Sequence, residues 1–522
     1  MELTTLLAAL PDARILQGDP ATAITNLAYD PAAITTGGAL VCVPPDQDFR
    51  ARDALRGTHA EQAAAAVSRG AAAIVSEDST TLDSLPPSVV AVLVPDARRA
   101  LAVMACEFYG HPSRKLFLVG LTGTNGKTTT AHLTAAILRG SGCRSVGVIG
   151  TLGASTESTQ FETGCTTPRS LDTQRLLSQY VEAGVDAVVI ECSSHGLSLQ
   201  RVAGCAFDVA VFTNFSQDHL DFHGTMEDYW AAKMLFFTEY ARVSLQHKKF
   251  TAVVNIDDEG GKKIVRDVVR GYPCVTFGIE NADADVRATD VQVSSTNLQF
   301  KVTSSDGECA FEVPLTGRFN VCNSLAAVTV ATVKGAPLKT LSSALAGVTR
   351  PAGRMEFIDE GQEFLIVVDY AHSPASLEHV LNALREFTHT KSKAAEGTGK
   401  LICVFGCGGD RDPSKRPQMG AVAAALADVV VITSDNPRSE DPGQIVEGIR
   451  VGTTGRGARE GVEVKVEVDR RTAIEYAVGR AGKGDVIVLA GKGHEKYQLL
   501  KEGKVHFDDR EVAQEALAKL KA

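Results

Sequence analysis

The sequence predicts an α/β protein of three domains, each built on a mostly parallel β-sheet. Two observations predict this class. Short apolar runs rich in β-branched residues alternate with alanine-rich helical stretches along almost the whole chain, which is the pattern of repeated strand–helix units. The length of 522 residues, of which 44% are apolar and 22% charged, is enough for about three globular domains with cores of their own.

Two joints that contain proline divide the chain. The first joint is 109–113 (Tyr-Gly-His-Pro-Ser) and the second is 348–353 (Val-Thr-Arg-Pro-Ala-Gly). Domain boundaries fall in such segments because few contacts cross them. The predicted domains are therefore residues 1–112, 113–350 and 351–522.

Composition and charge narrow the class of protein. The net charge is −10 and the pI about 5.7, so nothing indicates a nucleic-acid-binding face. The start of the chain lacks the basic residues and apolar core of a signal peptide, and no apolar run reaches the length of a membrane span. The eleven cysteines are scattered without CxxC pairs, which is typical of reduced thiols. We expect a cytoplasmic protein with no membrane insertion, no disulfide and no zinc site.

A glycine-rich loop in the second domain has the context of a phosphate-binding loop. The apolar run 116–119 predicts a strand, the segment 120–130 contains the loop, and a helical pattern follows. Glycines let backbone N–H groups approach phosphate oxygens, and a helix N-terminus favours the anion. Lys127 would add a positive charge at the phosphates and Thr128 could hold Mg²⁺. The predicted ATP-binding residues of this loop are Gly123, Thr124, Asn125, Gly126, Lys127, Thr128 and Thr129.

Two further predicted strands of the second domain lead to residues that suit a metal ion. The strand 186–191 ends in Glu191, and the strand 209–212 leads to a loop that contains His219; Lys233 follows in a helical segment. The carboxyl ends of parallel strands gather at one edge of a sheet. Carboxylate oxygens suit Mg²⁺, and a neutral imidazole can be an additional ligand. The sequence therefore predicts a magnesium site next to the phosphate loop.

In the third domain, three predicted strands are followed by charged or polar residues. The strands are 401–405, 429–433 and 486–489, and the polar residues that follow them are Arg411, Asp435, Asn436, Pro437, Arg438, Gly491 and Glu495. The arginines suit a carboxylate, whereas the acids and the amide suit an ammonium. An amino acid with a second amino-carboxylate centre at its far end supplies both groups. A side chain that ends in an ammonium alone would leave an arginine without its partner.

The chain resembles the Mur ligase family over nearly its whole length. The resemblance is carried by Glu191, His219, Lys233 and the strings 123–129 (Gly-Thr-Asn-Gly-Lys-Thr-Thr), 315–320 (Leu-Thr-Gly-Arg-Phe-Asn), 369–374 (Asp-Tyr-Ala-His-Ser-Pro) and 435–438 (Asp-Asn-Pro-Arg). It implies a central P-loop ATPase-type domain, an N-terminal UDP-sugar-binding domain and a C-terminal Rossmann-like domain for the amino acid. The string Asp-Asn-Pro-Arg is typical of the diaminopimelate-adding members.

The resemblance also implies roles for single residues. Asn320 would lie near adenine, Arg354 at the ATP phosphates and Asp369 at the ribose. Contacts to the UDP-linked substrate would come from Thr166, Thr167, Ser193 and Arg201. Glu191 and His219 would bind a second Mg²⁺, with Lys233 carbamylated to N6-carboxylysine as a further ligand. The residues expected to support catalysis are Lys127, Glu191, His219 and Lys233, and the strand-end set of the third domain would bind the amino acid.

The implied reaction joins meso-diaminopimelate to the D-glutamate carboxylate of UDP-N-acetylmuramoyl-L-alanyl-D-glutamate, with ATP and Mg²⁺, through an acyl phosphate. The protein is expected to be a monomer. Three alternatives stay open: a ligase of the same superfamily with another substrate, a lysine- or ornithine-adding sister enzyme, and a non-catalytic Mur-like scaffold of a transcription complex. The resemblance does not distinguish meso-diaminopimelate from LL-diaminopimelate as the substrate.

Overall fold

A computed structural model describes residues 1–45, 57–390, 399–455 and 457–521. Three β-sheets of five, eleven and six strands follow one another along the chain, and a two-stranded ribbon comes near the end. Each large sheet carries helices, so the predicted α/β class is confirmed. The strands of the three sheets lie in 14–93, 117–313 and 356–490 respectively.

The first sheet has the strand order β1-β5-β4-β3-β2, with β1 antiparallel to β5 and the other pairs parallel. Its strands are β1 (Arg14–Gln17), β2 (Leu27–Ala28), β3 (Ala39–Val41), β4 (Ala73–Ser76) and β5 (Val90–Leu93). Its helices are α1 (Leu3–Leu7), α2 (His59–Ser68), α3 (Ser79–Asp83) and α4 (Ala97–Phe108). Helix α4 packs against a helix of the middle sheet, α6 (Ser170–Glu182).

The middle sheet has the order β16-β15-β14-β13-β12-β11-β6-β10-β7-β8-β9. Its strands are β6 (Phe117–Thr122), β7 (Val146–Gly150), β8 (Gly153–Ser155), β9 (Gln160–Phe161), β10 (Ala187–Glu191), β11 (Val209–Phe212), β12 (Thr251–Asn255), β13 (Cys274–Gly278), β14 (Val286–Val293), β15 (Leu298–Ser304) and β16 (Gly307–Val313). The strands from β7 to β14 in this order are parallel, and the outer pairs are antiparallel. Besides α6, its helices are α5 (Lys127–Gly140), α7 (Ser194–Ser198), α8 (Leu220–His223), α9 (Met226–Met234), α10 (Glu239–Leu245), α11 (Glu259–Lys263), α12 (Phe319–Val333) and α13 (Leu338–Ala346).

The third sheet has the order β17-β18-β22-β19-β20-β21, in which only β17 is antiparallel to its neighbour. Its strands are β17 (Glu356–Ile358), β18 (Leu365–Asp369), β19 (Leu401–Phe405), β20 (Val429–Ile432), β21 (Glu463–Val466) and β22 (Val486–Ala490); the ribbon is β23 (Tyr497–Leu500) and β24 (Gly503–His506). Its helices are α14 (Pro374–Thr390), α15 (Lys415–Leu426), α16 (Pro442–Arg450), α17 (Arg470–Arg480) and α18 (Asp509–Lys521).

Strand β6 lies at the centre of the middle sheet and is buried on both faces. Alternate residues face two hydrophobic cores: Val119 and Leu121 pack in one, and Leu118 packs in the other. The strand extends to Thr122, so the predicted end at residue 119 is too early. Gly120 and Leu121 belong to the strand because they pair with residues of β10 and β11, and position 120 is glycine because a Cβ there would lie 2.3 Å from the Phe236 ring.

The joint between the middle and third sheets is held by one arginine and one turn. The Arg350 guanidinium donates to the carbonyls of Pro314 (3.2 Å) and Met355 (3.1 Å). Met355 has a positive φ of 47°, and its N–H donates to Asp369 Oδ2 at 2.8 Å. The joint therefore contacts the carboxyl end of β18 directly. Among the helices described, none is both long and apolar enough to span a membrane.

Candidate active site

A cavity of about 680 Å³ opens between the middle and third sheets, at the carboxyl ends of their parallel strands. Strand ends of both sheets supply its walls, because parallel strands place all their carboxyl ends on one edge. Most residues that the sequence predicts as functional line this one cavity. They are Thr124, Asn125, Gly126, Lys127, Thr128, Thr129, Thr166, Glu191, Ser193, Arg201, His219, Arg354, Asp369, Arg411, Asp435, Asn436, Arg438, Gly491 and Glu495.

The phosphate loop joins β6 to α5 and needs two glycines for its shape. Gly123 and Gly126 have φ values of +142° and +85°, and a Cβ on Gly126 would lie 2.4 Å from Asn323 Oδ1. Lys127 Nζ donates to the carbonyl of Gly123 at 3.0 Å and to that of Thr124 at 2.9 Å, so the side chain curls over the loop. Burial lowers the pKa of Lys127, although the nearby carboxylate of Glu191 acts in the opposite direction.

Glu191 is the buried centre of a hydrogen-bond network at the end of β10. Its Oε2 accepts from Thr128 Oγ1 at 3.0 Å, and its Oε1 accepts from the N–H of Thr151 at 2.9 Å. Gly150 must be glycine here, because a Cβ would lie 2.1 Å from Glu191 Oε1. The network holds the carboxylate at the first turn of α5, beside the hydroxyl of the phosphate loop.

Lys233 is 1% exposed and lies beneath the phosphate loop, behind the cavity wall. Its Nζ donates to the carbonyl of Gly123 at 2.8 Å and lies 4.6 Å from the centre of the Tyr229 ring. Burial, and after it the positive charge of Lys127, lowers the pKa of Lys233 well below its ordinary value. The lowered pKa increases the fraction of the neutral amine, which is the form that reacts with CO₂.

The fit of Mg²⁺ rests on Thr128 and Glu191. Their oxygens are hard ligands, lie 3.0 Å apart and face the loop that would hold phosphates. Within the part of the chain that the structure describes, no group of three or more His, Cys, Asp or Glu side chains is placed to hold a metal. His219 lies on the wall with a third of its side chain exposed. Thus the site suits a cation whose remaining ligands come from phosphates and water.

Thr166 and Thr167 have different positions: Thr166 lies on the cavity wall, and Thr167 supports the wall from behind. Thr166 Oγ1 lies on the wall, 3.1 Å from Thr151 Oγ1. Thr167 is fully buried; its hydroxyl donates to the carbonyl of Glu191 at 2.7 Å and accepts from the N–H of Ser193 at 3.0 Å. Arg201 Nη1 donates to the carbonyl of Thr167 at 3.0 Å. Thr167 therefore holds three wall residues in place: Glu191, Ser193 and Arg201.

A contact of Arg354 brings the third sheet onto the phosphate loop. Arg354 Nη2 donates to Thr128 Oγ1 at 3.1 Å, and the Nε of Arg354 is buried without a hydrogen-bond partner. An unpaired buried N–H at this place suits a phosphate oxygen. Asp369 is buried beside Arg354, and burial raises the pKa of its carboxyl.

Asp218 is a second link between the two sheets. Its buried carboxylate lies 3.6 Å from His372 Nε2 and 3.8 Å from Lys415 Nζ, both of the third sheet's region. His219 lies 3.5 Å away on the same loop. Burial alone would raise the pKa of Asp218, but these neighbouring groups outweigh it and hold the pKa well below the ordinary value.

The strand-end residues of the third sheet form one wall of the cavity. Arg438 has a φ of 55°, and its Nη1 donates to the carbonyl of Gly409 at 2.7 Å. Arg411 Nη1 lies 3.7 Å from Asp221 Oδ2 across the cavity. Asn436 Nδ2 donates to Glu495 Oε2 at 2.8 Å, so this amide is part of the wall's own network.

Five of the predicted residues lie behind the wall rather than on it: Gly123, Thr167, Lys233, Asn320 and Pro437. Asn320, which the resemblance places near adenine, is the one of these that lies on α12. It is buried, its Nδ2 donates to the carbonyl of Thr316 at 2.7 Å, and its Oδ1 accepts from Asn323 Nδ2 at 2.8 Å. Asn323 is the wall residue, one helical turn further along α12. Asn320 therefore positions Asn323.

Besides Asn323, sequence reasoning missed Asp218, His372, Lys415 and Lys492. The first three stand inside or beside strings that the sequence singles out, but no spacing shows that they meet across two domains. Lys492 lies between Gly491 and Glu495 and is fully buried. The available signal was a lysine at the end of a buried strand, where a charged side chain needs a partner.

A phosphate loop facing a cavity that a second α/β sheet closes defines the class as a nucleotide-dependent enzyme with an active site shared by two domains. The family model described as "Mur ligase middle domain" matches residues 121–331, and the model described as "Mur ligase, glutamate ligase domain" matches 353–493. The chain belongs to the Mur ligase family, so it is an ATP-dependent, amide-bond-forming ligase.

Similar proteins of known name cover nearly the whole chain. A UDP-N-acetylmuramoyl-L-alanyl-D-glutamate--2,6-diaminopimelate ligase of Geobacillus thermodenitrificans is 42% identical over 521 residues, covering 99% of each chain. The protein of the same name from Streptomyces coelicolor is 40% identical and covers 96% of this chain and 94% of its own.

Solved structures agree with the fold. A structure of a UDP-N-acetylmuramoyl-L-alanyl-D-glutamate--2,6-diaminopimelate ligase has a TM-score of 0.66 at 30% identity and covers 100% of this chain and 99% of its own. The MurF ligase of Thermotoga maritima, solved in complex with ADP, has a TM-score of 0.61 at 20% identity. The match covers 95% of this chain and 97% of the MurF chain. This second likeness bears on the fold alone.

Proposed function

We propose that this enzyme adds meso-diaminopimelate to the D-glutamate carboxylate of UDP-N-acetylmuramoyl-L-alanyl-D-glutamate in peptidoglycan precursor synthesis. The observation that carries the proposal is that Arg411, Arg438, Asp435 and Glu495 line the same cavity as the phosphate loop. Paired arginines and acids suit an amino acid whose far end carries both a carboxylate and an ammonium. The names of the full-length relatives support the same substrates.

The UDP-linked substrate lies along the wall formed by Thr166, Ser193 and Arg201 in this proposal, with its sugar nucleotide toward the first sheet. The domains are the predicted ranges: 1–112 for the UDP-sugar, 113–350 for ATP and 351–522 for the amino acid. Arg201 is 3% exposed and its side chain is oriented by the carbonyl of Thr167, so its guanidinium is held in one direction. A guanidinium fixed in this way can bind a carboxylate or phosphate in a bidentate manner.

The first chemical step is attack of the D-glutamate carboxylate on the γ-phosphate of ATP. The backbone N–H groups of 123–129, the ammonium of Lys127 and the guanidinium of Arg354 neutralise the charge that develops on the phosphoryl oxygens. The products are ADP and an acyl phosphate. Contact between Arg354 and Thr128 places the third domain over the loop during this step and so excludes water from a hydrolysable product.

The second step is attack by a neutral amine of diaminopimelate on the acyl carbon, which expels phosphate and forms the amide. Arg411, Arg438, Asp435, Asn436, Gly491 and Glu495 hold the far end of the amino acid, while its near amine reaches the acyl phosphate. Orientation of two bound reactants contributes most of the rate in such a step.

Mg²⁺ would be held by Thr128 and Glu191, and a second ion would be held by Glu191 and His219 with a carbamylated Lys233 as a further ligand. Bound there, Mg²⁺ supplies positive charge at the phosphates. Burial of Lys233 supports carbamylation, because the modification replaces a poorly solvated ammonium by an anion that a cation can pair with. The cytoplasm, where ATP is available, is the proposed location.

The test is phosphate release with ATP, Mg²⁺ and UDP-N-acetylmuramoyl-L-alanyl-D-glutamate, with meso-diaminopimelate, LL-diaminopimelate, lysine or ornithine in separate reactions. Release and tripeptide formation with meso-diaminopimelate and not with lysine or ornithine is the expected result. A preference for lysine or ornithine would keep the ligase and overturn the assigned amino acid. No turnover with any of the amines would favour another substrate or a non-catalytic role.

A further inference from the structure

Lys492 lies directly beneath the two acids that face the cavity from the third sheet. It follows Ala490 and Gly491 at the end of β22, and its side chain is 0% exposed. Its Nζ donates to Glu495 Oε2 at 3.3 Å and to Asn436 Oδ1 at 3.3 Å, and it lies 3.9 Å from Asp435 Oδ1. Each of these three acceptors belongs to a residue that lines the cavity. Lys492 itself is not among the lining residues.

The position of Lys492 changes the charge that the wall presents. Asp435 and Glu495 are 7% and 6% exposed, so water screens them little. Two carboxylates in such a place would present two negative charges to the cavity, and the Lys492 ammonium cancels one of them from behind. The same ammonium donates to Glu495 Oε2, which also accepts from Asn436 Nδ2, so these three side chains form one connected network behind the wall.

The strand ends that carry these groups are held together by a second buried pair. Arg470 donates to both carboxylate oxygens of Asp509, at 2.8 and 2.6 Å, and both side chains are fully buried. The same guanidinium donates to the carbonyl of Ala490 at 3.0 Å and to that of Ser434 at 3.3 Å. The guanidinium thereby fixes the backbone at Ser434, which precedes Asp435, and at Ala490, which lies two residues before Lys492. The fold therefore determines where Lys492 lies relative to Asp435.

We propose that Lys492 is a specificity-determining and positioning residue of the amino-acid site, which selects substrates whose far end is zwitterionic over substrates whose far end is only cationic. The inference rests on the proposed function of the same site. With one negative charge left on the pair of acids Asp435 and Glu495, one substrate ammonium is balanced. The far carboxylate is then needed for the arginines. Without Lys492 this pair of acids would carry two negative charges and would attract a lysine side chain more strongly.

The experiment compares wild type, Lys492→Met and Lys492→Gln for steady-state kinetics with meso-diaminopimelate and with L-lysine. The full-length protein is used with saturating ATP, Mg²⁺ and the UDP-linked substrate. In both variants, the KM for meso-diaminopimelate is expected to rise about tenfold or more, since a buried ion pair that loses one partner is strongly disfavoured. The KM for ATP is expected to stay within a factor of about two, because Lys492 does not line the cavity near the phosphate loop. The ratio of kcat/KM for diaminopimelate over lysine is expected to fall by about tenfold.

Lys248→Met is the matched control. Lys248 is a partly buried lysine, with 9% of its side chain exposed, that is paired with the acid Asp208 at 2.6 Å but does not line the cavity. It is expected to lower thermal stability and leave the discrimination ratio unchanged. If the ratio in both Lys492 variants equals that of wild type, or if the KM for ATP rises as much as that for the amino acid, the proposal is overturned. Wild-type turnover is measured first, so absence of diaminopimelate ligation there would count against the proposed function rather than against the role of Lys492.

Discussion

Lys127 and Lys233 donate hydrogen bonds to the same atom, the carbonyl oxygen of Gly123, at 3.0 and 2.8 Å. Two ammonium groups on one acceptor repel each other, and Lys127 contributes to lowering the pKa of Lys233. One lysine lies on the cavity side of the phosphate loop and the other lies behind it. The loop therefore suits one full positive charge and one neutral or modified amine.

Removal of CO₂ tests this arrangement at Lys233. A lowered pKa increases the neutral fraction of the amine at pH 7–8, and the neutral amine is the form that adds CO₂. We expect phosphate release to fall in CO₂-free buffer and to return with bicarbonate, and mass spectrometry under mild conditions to show a carbamate. Lys233→Ala is expected to lose about 10²-fold or more of turnover. Lys262→Ala, an exposed lysine paired with Glu259, is the control; equal rates with and without CO₂ would contradict the prediction.

Substitution of Lys127 separates its charge from its hydrogen bonds. Lys127→Met is expected to lower kcat/KM for ATP by about 10²–10³-fold, because the ammonium balances charge on the phosphates. The same change removes a repelling neighbour of Lys233 and should raise the pKa of that amine, so less carbamate is expected. Steady-state kinetics and mass spectrometry measure the two effects. A variant that keeps the wild-type rate would show that Lys127 does not act on ATP.

Arg354 is expected to matter for turnover more than for folding. Its guanidinium contacts Thr128 and lies 4.7 Å from the centre of the Tyr370 ring, so it joins the third domain to the nucleotide side. Arg354→Ala should lower kcat by about 10²-fold, and Arg354→Lys should recover only part of it, because a lysine lacks the planar fork. Arg471→Ala is an exposed control in the same domain. An unchanged kcat in Arg354→Ala would contradict the prediction, because it would show that the contact of Arg354 with Thr128 does not contribute to catalysis.

Asp218 is expected to keep the two domains together. Asp218→Asn removes the charge that faces His372 and Lys415, so the ligand-free protein should become more extended and turnover should fall. Small-angle scattering and phosphate release measure the two effects. If the contact between Asp218 and Lys415 is responsible, Lys415→Met should add little to Asp218→Asn in the double variant. Additive losses would point to separate roles.

The ion pair of Asp428 with Arg385 predicts a pH-dependent stability. Burial alone would raise the pKa of Asp428, but the Arg385 guanidinium at 2.6 Å and the N–H of Leu401 outweigh it, and the pKa is lowered. A carboxyl whose pKa is lower in the folded than in the unfolded state stabilises the folded protein at pH values above the unfolded pKa. This stabilisation is lost as the pH falls through the folded pKa. Asp428→Asn should cost about 2 kcal/mol in free energy of unfolding near pH 7 and progressively less below about pH 4. Denaturant titrations check this, with the exposed Asp306→Asn as control; an equal loss at all pH values would contradict it.

The fold was largely predictable because its strands are buried and apolar. The predicted strands at 209–212 and 401–405 coincide with β11 of the middle sheet and β19 of the third sheet. The strand before the phosphate loop was predicted three residues too short. Gly120 was assigned to the loop, whereas the aromatic rings of Phe207 and Phe236 occupy the space that a side chain would need. Such a contact joins residues far apart in sequence and leaves no local pattern.

The position of Lys127 and Thr128 on the cavity wall was predictable, because one string of the sequence forms the whole loop. It was not predictable where the function depends on which side of an element faces the cavity. Asn320 and Asn323 lie on the same helix, and only packing decides that Asn323 reaches the wall. Lys492 was overlooked for a related reason, since burial beneath two acids depends on three separate strand ends.

The joint before β17 has a pharmacological consequence. Arg354 and Met355 belong to the turn that connects the two domains, and Met355 is hydrogen-bonded to Asp369 on the cavity wall. Rotation of the third domain about this turn would therefore move Arg354 away from Thr128 of the phosphate loop. A small molecule that binds the outer side of the turn and favours the rotated state would act as a remote antagonist, and ATP would weaken the binding of that molecule by the same factor as the molecule weakens the binding of ATP.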